Sequence, residues 1–325
     1  MARFFRSFLI FLTLLALGAS GVLGATKKKP AKPAGPPSPV QKEPPVPDTP
    51  PVAGPGELPL YAVGAIVIDG FTGETLYEKN ADAPQFPAST TKIMTALLVI
   101  EEGDLDHQVE VTLDDSKVGE SSLEIKPGQL YTRRQMLFGL MLKSANDVAH
   151  ALGRDNAGSI EAFAEKMTRR AKELGATNTN FRNPNGLHDP NHYISPRDLA
   201  MVARAAMQQP YFREIVGTKN FTWNAADTGP RPLTNHNRLL LGMYPGCTGV
   251  KTGYTIPAQQ VLVSSAMRGN REVIAVVMHD NKPGIWNDSM LLLSYGLDHP
   301  PGSGGGGTQG TTTGTGAATP GGSKQ

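Results

Sequence analysis

Apolar residues follow two different patterns along the chain, and each pattern predicts its own kind of element. Residues 64–69 are mostly small, apolar or β-branched, and residues 75–78 resume a strand pattern after a turn-rich interval, so this segment predicts a β-hairpin. Residues 260–266 and 272–278 have the same character, and the short connection 268–271 predicts a tight turn between two paired strands.

Helical spacing, with apolar residues three or four positions apart, characterises several segments between and after these strands. Thr132, Ser159 and Ser195 are placed as N-caps of such segments. Gly175 is placed as a C-terminal stop, and Pro196 occupies a first helical position, where a missing N–H costs nothing. The predicted helices cover residues 90–102, 133–143, 159–174, 195–208 and 286–295.

The order of these elements indicates the fold class. A hairpin comes first, helices occupy the middle of the chain, and further strands and a last helix follow. Short connections between neighbouring strands favour antiparallel pairing, and amphipathic helices bury their apolar faces against a sheet or against each other. We therefore predict an α/β (α+β) domain with an antiparallel sheet flanked by helices.

Composition limits the folded part of the 325-residue chain. Residues 26–59 are rich in Pro, Lys, Ala and Gly, and residues 300–325 consist mainly of Gly, Thr, Ser and Pro. Neither segment has enough apolar side chains to offset its ordering entropy by burial, so we predict that both are disordered. The predicted folded domain covers residues 60–299, a size that supports one substantial core.

The first 25 residues have the features of a secretory signal. Arg3 and Arg6 form a basic start, residues 8–19 form a short apolar segment, and small residues follow at 22–25. A comfortable membrane span needs about 20 apolar residues, so cleavage is the preferred prediction and a retained N-terminal anchor is the alternative. Either outcome exports the domain to the periplasmic or extracellular space, with membrane contact only through an uncleaved N-terminus.

Charge and cysteine content exclude several classes of function. The formal net charge is +2 and the predicted domain has no broad basic stretch, so we expect no nucleic acid partner. Cys247 is the sole cysteine, which excludes an internal disulfide and a cysteine-based metal site. We expect a buried or half-buried thiol there, with a nucleophilic thiol as the alternative. His188 and His192 lie in a segment whose prolines oppose a helix, so we expect no metal and no cofactor.

Three short motifs suggest acyl transfer by a serine, and the first is a serine–lysine pair. Ser89 and Lys92 are three residues apart at the start of a predicted helix, where their side chains share one face. A serine hydroxyl needs a base to take its proton, and a lysine serves when burial or nearby positive charge lowers its pKa. Such a pair arises by chance in a chain of this length, so by itself it is better explained as a helix start.

The second and third motifs supply further groups that such a reaction needs. Ser144 and Asn146 follow an apolar helix, and there the hydroxyl can relay a proton while the amide can hold a peptide carbonyl. Lys251 and Thr252 can bind a carboxylate just before a predicted strand, and Gly253 permits close approach of a substrate. Taken alone, each motif is better explained as a helix end or an ordinary turn.

The ordered set of motifs, with its flanking residues, resembles the low-molecular-mass penicillin-binding proteins, specifically the D-alanyl-D-alanine carboxypeptidases of the S11 peptidase type. The resemblance covers about residues 60–297 and implies a β-lactamase/transpeptidase-like fold with an inserted helical region. The segments that carry it are 69–70, 77–80, 87–96, 144–147, 183–187, 192–193 and 250–255.

The resemblance implies a role for each residue of the first two motifs. Ser89 would attack the carbonyl between two D-alanines and form an acyl-enzyme, with Lys92 as its general base. Ser144 would help to pass the proton to the departing D-alanine, and Asn146 would orient the substrate and Lys92.

The resemblance also implies how the substrate is held. Lys251 and Thr252 would bind its terminal carboxylate, and the backbone N–H groups of Ser89 and Tyr254 would form the oxyanion hole. The implied partners are peptidoglycan stem peptides, with β-lactams as covalent inhibitors that acylate Ser89. The implied chemistry needs no metal and no cofactor.

Departures from the family pattern and rival functions leave alternatives open. Residues 258–263 replace the glycine, the basic residue and the Cys-Leu-Val run of many members, so we expect a different local loop. A D,D-endopeptidase that cuts peptidoglycan crosslinks is the nearest rival. A β-lactamase would need a deacylating glutamate, but Glu161 and Glu165 fall in a predicted helix. A non-catalytic wall-binding protein is the remaining alternative.

Overall fold

Five antiparallel strands form the main sheet of the protein in a computed structural model that describes residues 45–46, 49–50, 52–225 and 227–302. The predicted signal segment 1–25 lies outside the described residues, as do most of the predicted linker 26–59 and residues 303–325 of the predicted tail. Across the described ranges, no helix combines the length and apolar character needed to cross a membrane.

The strands pair in one large and several small antiparallel sheets. The main sheet has the order β2-β1-β11-β10-β9, and separate two-stranded sheets pair β3 with β4, β5 with β6, and β7 with β8. In chain order, the strands are β1 (Gly64–Asp69), β2 (Thr75–Lys79), β3 (Gln108–Glu110), β4 (Leu130–Thr132), β5 (Thr179–Asn180), β6 (Tyr193–Ile194), β7 (Asn220–Ala225), β8 (Gly229–Thr234), β9 (Cys247–Thr255), β10 (Gln259–Arg268) and β11 (Arg271–Asp280). The hairpin and the paired later strands that the sequence predicted are confirmed as β1–β2 and β10–β11.

Three of the predicted helices begin at the N-caps that the sequence indicated. Thr132, Ser159 and Ser195 accept hydrogen bonds from backbone N–H groups three residues later, as N-caps do. A 3-10 turn (Ala88–Thr91) precedes the first helix, and a π-helical turn covers Leu239–Met243. The helices are α1 (Lys92–Glu102), α2 (Leu113–Ser116), α3 (Arg133–Leu142), α4 (Asn146–Ala157), α5 (Ile160–Glu173), α6 (Pro196–Met207), α7 (Pro210–Gly217) and α8 (Gly284–Asp298). Of these, α2, α4 and α7 were not predicted from the sequence.

The main sheet is buried on both faces, which explains the continuous apolar runs in its strands. Successive side chains of a strand point to opposite faces, so β1 contributes to two cores. Ile66 and Ile68 belong to the larger core with α1, α3 and α6, whereas Ala65 and Val67 pack in the core that contains Leu292 of α8. The antiparallel sheet between helical layers confirms the predicted fold class.

The third motif lies inside an edge strand, which corrects the sequence prediction. Lys251, Thr252 and Gly253 are central in β9, rather than just before a strand, and Lys251 is opposite Val263 of β10. Glycine is rare in strand interiors, so the motif resembled a turn. Among the described residues, β9 pairs with a strand on one side only, and the turn Ala88–Thr91 packs against β9.

Two further local features differ from the expected pattern. Asn146 begins α4, so the second motif joins two helices instead of only ending α3. The altered residues after the third motif form a short turn that closes the β9–β10 hairpin, with Thr255 opposite Gln259. Gln259 takes a φ of 53° there, and Thr255 Oγ1 accepts a hydrogen bond from the Ala258 N–H at 3.1 Å.

Candidate active site

Ser89 lies in the tight turn immediately before α1. Its neighbour Ala88 has a φ of 47°, a left-handed conformation that costs a residue with a Cβ about 1–3 kcal/mol. Ser89 is half-buried, and its Oγ lies 3.0 Å from Lys92 Nζ. The first turn of the helix therefore brings these two side chains together, as their spacing predicted.

Lys92 Nζ is surrounded by three oxygen atoms in a buried position. They are Ser89 Oγ at 3.0 Å, Asn146 Oδ1 at 2.8 Å and the Asn185 carbonyl oxygen at 2.6 Å. The orientation of the Asn146 amide follows from its other end, where Nδ2 donates to the Gly119 carbonyl at 3.1 Å. The two carbonyl oxygens can only accept hydrogen bonds, whereas the serine hydroxyl can also donate.

This arrangement suits a neutral lysine. A neutral amine donates two hydrogens and keeps one lone pair, so Lys92 can satisfy Asn146 and Asn185 and direct its lone pair at the Ser89 hydroxyl. Burial holds the pKa of Lys92 well below its ordinary value, and the charge of Lys251 lowers it further. The environment thus favours the form of Lys92 that can accept a proton.

The second motif joins α3 to α4 in a strained loop. Ser144 is buried and has a φ of 62°, and the Asn146 N–H donates to the Ser121 carbonyl at 2.7 Å. Asp147, fully buried, accepts hydrogen bonds from the backbone N–H of Leu123 and other groups of the segment 121–125. The structure therefore joins Asn146 to Lys92 directly, while the Ser144 hydroxyl forms no hydrogen bond to Ser89 or Lys92 among the described residues.

The third motif lies against the backbone nitrogens of the turn that carries Ser89. A Cβ built on Gly253 would lie 2.9 Å from the Ser89 nitrogen and 3.1 Å from the Thr90 nitrogen, so only glycine permits this approach. The backbone of β9 at Gly253 and Tyr254 consequently borders the Ser89 N–H. The Tyr254 side chain is exposed, so the close approach at this position is made by the main chain.

Lys251 contributes a buried amine within this strand. Its Nζ donates to the Thr252 carbonyl at 2.7 Å, and burial lowers its pKa to about 7. Loss of solvation and then the charges of Lys251 and Lys143 lower the pKa of His236 to about 4. Lys251 therefore places a basic group on the β9 side of Ser89, where an anionic substrate group would be held.

A second layer of hydrogen bonds, which the sequence did not reveal, holds the serine turn. Thr91 Oγ1 donates to the Ala88 carbonyl at 2.8 Å and lies 2.9 Å from His192 Nε2. Because the threonine hydrogen is already used, His192 donates from Nε2, and its Nδ1 accepts the Arg182 N–H at 3.0 Å. Burial, followed by the charge of Arg182, lowers the pKa of His192 to about 3, which keeps its ring neutral.

The loop that supplies the Asn185 carbonyl packs tightly on the same turn. A Cβ on Gly186 would lie 1.8 Å from the Ala88 carbonyl oxygen, and the φ of Gly186 is 86°, so glycine is required there. In the sequence, the segment 183–187 contributed to the family resemblance, but nothing in it indicated that this loop contacts Lys92.

The structure also tests the rival nucleophile and the rival deacylating acids. The half-buried Cys247 thiol donates to the Gly249 carbonyl at 3.3 Å, and burial raises its pKa to about 11, the opposite of an activated thiol. Glu161 and Glu165 both lie within α5, as predicted, and not in an active-site loop.

Comparison with known proteins agrees with this geometry. The Peptidase S11 family, described as D-alanyl-D-alanine carboxypeptidase, matches residues 53–282. The D-alanyl-D-alanine carboxypeptidase DacF of Bacillus subtilis is 38% identical over 232 residues, which cover 70% of this chain and 59% of DacF. The corresponding enzyme DacB2 of Mycobacterium tuberculosis is 34% identical over 238 residues, which cover 71% of this chain and 81% of DacB2.

Solved structures show the same relationship. The crystal structure of the Streptomyces K15 DD-transpeptidase superposes with a TM-score of 0.70 at 35% identity, covering 74% of this chain and 98% of that one. Its likeness and the antiparallel sheet between helices identify a penicillin-binding protein fold. The chain belongs to the peptidase S11 family of D-alanyl-D-alanine carboxypeptidases.

Proposed function

We propose that the protein is a serine-type D-Ala-D-Ala carboxypeptidase that removes the terminal D-alanine from peptidoglycan stem peptides. The observation that carries this proposal is the buried Lys92, whose Nζ lies 3.0 Å from Ser89 Oγ with its other neighbours restricted to accepting hydrogen bonds. The activities named for the S11 relatives supply the substrate class.

Acylation begins with proton transfer from Ser89 to Lys92. Ser89 Oγ attacks the carbonyl between the D-alanines, and the negative charge that develops on its oxygen is bound by the N–H groups of Ser89 and Tyr254. One such donor is worth about 10²–10³ in rate, because it meets the charge only as the charge forms. Asn146 keeps Lys92 in position, and its Nδ2 has a second hydrogen for a substrate carbonyl.

Release of D-alanine requires a proton on its nitrogen. Lys92 holds the proton taken from Ser89, and the Ser144 hydroxyl passes it to the leaving amine as the peptide bond breaks. Lys251 and Thr252 bind the carboxylate of the departing residue. A bound carboxylate raises the pKa of Lys251 from about 7, so substrate binding itself favours the charged lysine.

Hydrolysis then completes the cycle. A water molecule gives a proton to Lys92 and attacks the acyl carbonyl. The ester bond to Ser89 Oγ then breaks, the shortened peptide leaves with a new carboxyl group, and Lys92 returns the proton to Ser89. β-Lactams acylate Ser89 by the same first step. We further propose that the N-terminal segment exports the enzyme to the periplasmic or extracellular wall space, with membrane attachment only through an uncleaved N-terminus.

Mass spectrometry after incubation with penicillin tests the proposed nucleophile. We expect one covalent adduct on the peptide that contains Ser89, and no adduct in the Ser89→Ala variant. An adduct on Cys247 or no adduct at any site contradicts the proposal.

The same preparations separate carboxypeptidase from endopeptidase activity. A stem peptide ending in D-Ala-D-Ala should lose D-alanine faster than a crosslinked dimer is cut, and both activities should require Ser89. Faster cutting of the crosslinked dimer would assign the enzyme to endopeptidases of the same fold. Rapid turnover of penicillin without a lasting adduct would assign it to β-lactamases.

A further inference from the structure

The segment 117–124 brings a carboxylate to the second motif. Asn146 forms hydrogen bonds to the two residues that flank Glu120. Its Nδ2 donates to the Gly119 carbonyl at 3.1 Å, and its backbone N–H donates to the Ser121 carbonyl at 2.7 Å. Ser121 Oγ in turn donates to the Lys143 carbonyl at 2.8 Å. The residue between these two carbonyls is therefore held at a defined place beside Asn146.

The conformation of Glu120 is unusual for its position. Its φ is 66°, in the left-handed region that residues with a Cβ rarely adopt. Conformations of this kind persist where the surroundings determine them, and they cluster at ligand-binding sites. The side chain is exposed, and it forms no hydrogen bond or ion pair with any of the residues in 52–225 and 227–302.

Glu120 brings an exposed negative charge to the surroundings of Lys92. Its carboxylate raises the pKa of Lys92, in opposition to burial and Lys251, which lower it. Glu120 therefore lies within electrostatic range of the reacting groups. Lys251 lies in β9, whereas Lys143 ends α3 just before the second motif, and the charges of both lysines act on His236. The site therefore has the Lys251 amine on the β9 side and the Glu120 carboxylate beside Asn146, where Lys143 also lies but forms no ion pair with Glu120 among residues 52–225 and 227–302.

We propose that Glu120 binds a cationic side chain on the residue that precedes the two D-alanines, and thereby selects stem peptides with a free side-chain amine. This inference rests on the proposed function. With the terminal carboxylate at Lys251, the acyl part of the peptide extends past Ser89 toward Asn146. The preceding residue lies within about one residue length, roughly 3.5 Å, of the acylated D-alanine, and a long diamino side chain can reach Glu120 from there.

Two peptides that differ in one charge test the proposal. The probes are Nα-acetyl-L-lysyl-D-alanyl-D-alanine and its form acetylated also on the side-chain amine. For Glu120→Gln we expect kcat/KM to fall about fivefold on the free-amine peptide and less than twofold on the acetylated one, in the range of a partly exposed ion pair. Glu120→Lys should reverse the preference, and added salt should reduce it in the native enzyme.

Glu124→Gln is the matched control. Glu124 lies on the same segment, is exposed and has a φ of 57°, so it reproduces the charge loss and the backbone strain away from Asn146. This variant should keep the native preference between the two peptides. Penicillin acylation of Ser89 in every variant verifies that the site is folded.

The outcomes separate this inference from the proposed function. An equal loss on both peptides in Glu120→Gln would mean that the carboxylate acts only through Lys92, and it would overturn the proposal. No change on either peptide, or an equal change in Glu124→Gln, would overturn it as well. If the native enzyme is acylated by penicillin but releases D-alanine from neither peptide, the proposed carboxypeptidase function fails instead.

Discussion

Gly253→Ala should slow acylation strongly while leaving the fold intact. The new Cβ would lie 2.9 Å from the Ser89 nitrogen, 3.1 Å from Ala88 Cβ and 3.1 Å from the Thr90 nitrogen. Comfortable contacts between such atoms begin near 3.5 Å, so β9 and the serine turn must separate by about half an ångström. An edge strand can yield by this amount, because within the part of the chain that the structure describes β9 is paired on one side only, with β10.

The expected loss of acylation rate follows from the displacement of the Ser89 and Tyr254 N–H groups, which form the proposed oxyanion hole. Loss of a whole oxyanion donor costs about 10²–10³ in rate, and a displacement of 1 Å in a site can cost about 10². A shift of half that size should therefore reduce the acylation rate by about 10- to 100-fold. We expect the melting temperature to fall by only a few degrees, about 1–2 kcal/mol of stability.

The assay follows the rate at which a fluorescent penicillin labels Ser89, together with thermal unfolding by circular dichroism. Gly217→Ala is the control, since a Cβ there would make only an ordinary contact of 3.6 Å with the Thr248 carbonyl. Labelling of Gly253→Ala at the native rate with an unchanged melting temperature would refute the reasoning about the approach of β9 to the serine turn.

Three further predictions concern pH and the buried groups. The pH profile of kcat/KM should be bell-shaped. It should rise as Lys92 loses its proton and fall above neutrality as Lys251 of the free enzyme, with a pKa of about 7, loses its charge. A profile that is flat from pH 5 to 10 would contradict these roles. Burial raises the pKa of Asp280 above its unfolded value near 3.8, so the native state holds a proton that the unfolded state releases, and stability falls as pH rises above about 4. Asp280→Asn should therefore raise the melting temperature by a few degrees at pH 8 and by less at pH 5, and an equal change at both values would argue against the shift. Thr91→Val should cost about 1–3 kcal/mol of stability and slow penicillin labelling, because the Ala88 carbonyl loses its donor, whereas Thr91→Ser should restore the labelling rate.

The candidate site could be assembled from the sequence only where its groups belong to regular local structure. Ser89 and Lys92 were predictable as a pair because one turn of helix sets their spacing. The Asn185 carbonyl and His192 were not, because they lie in the loop between α5 and α6, where backbone groups and rings are placed by long-range contacts. Residue spacing predicts which side chains share a face in a helix or a strand, whereas a loop has no regular repeat from which to predict this.

The position of the third motif shows the same division. The third motif, Lys251-Thr252-Gly253, has too little apolar character for its sequence to predict a strand. It nevertheless lies within β9, because pairing with β10 provides hydrogen-bond partners for its backbone. Strand preference depends on neighbours more than on the residue itself. The glycine that obscured the strand is also the residue that lets β9 reach the Ser89 amide.

The sequence alone determined the helix caps, the hairpins, the fold class and, through its ordered motifs, the family of this protein, since these depend on local hydrogen bonds, periodicity and motif order. Only the tertiary structure decided which form of Lys92 is favoured, because the lowered pKa comes from burial and from Lys251, which is 159 positions away in the chain. It also decided that Glu120 borders Asn146. Proton affinity and substrate contacts depend on distances through space, and these are fixed only when the chain has folded.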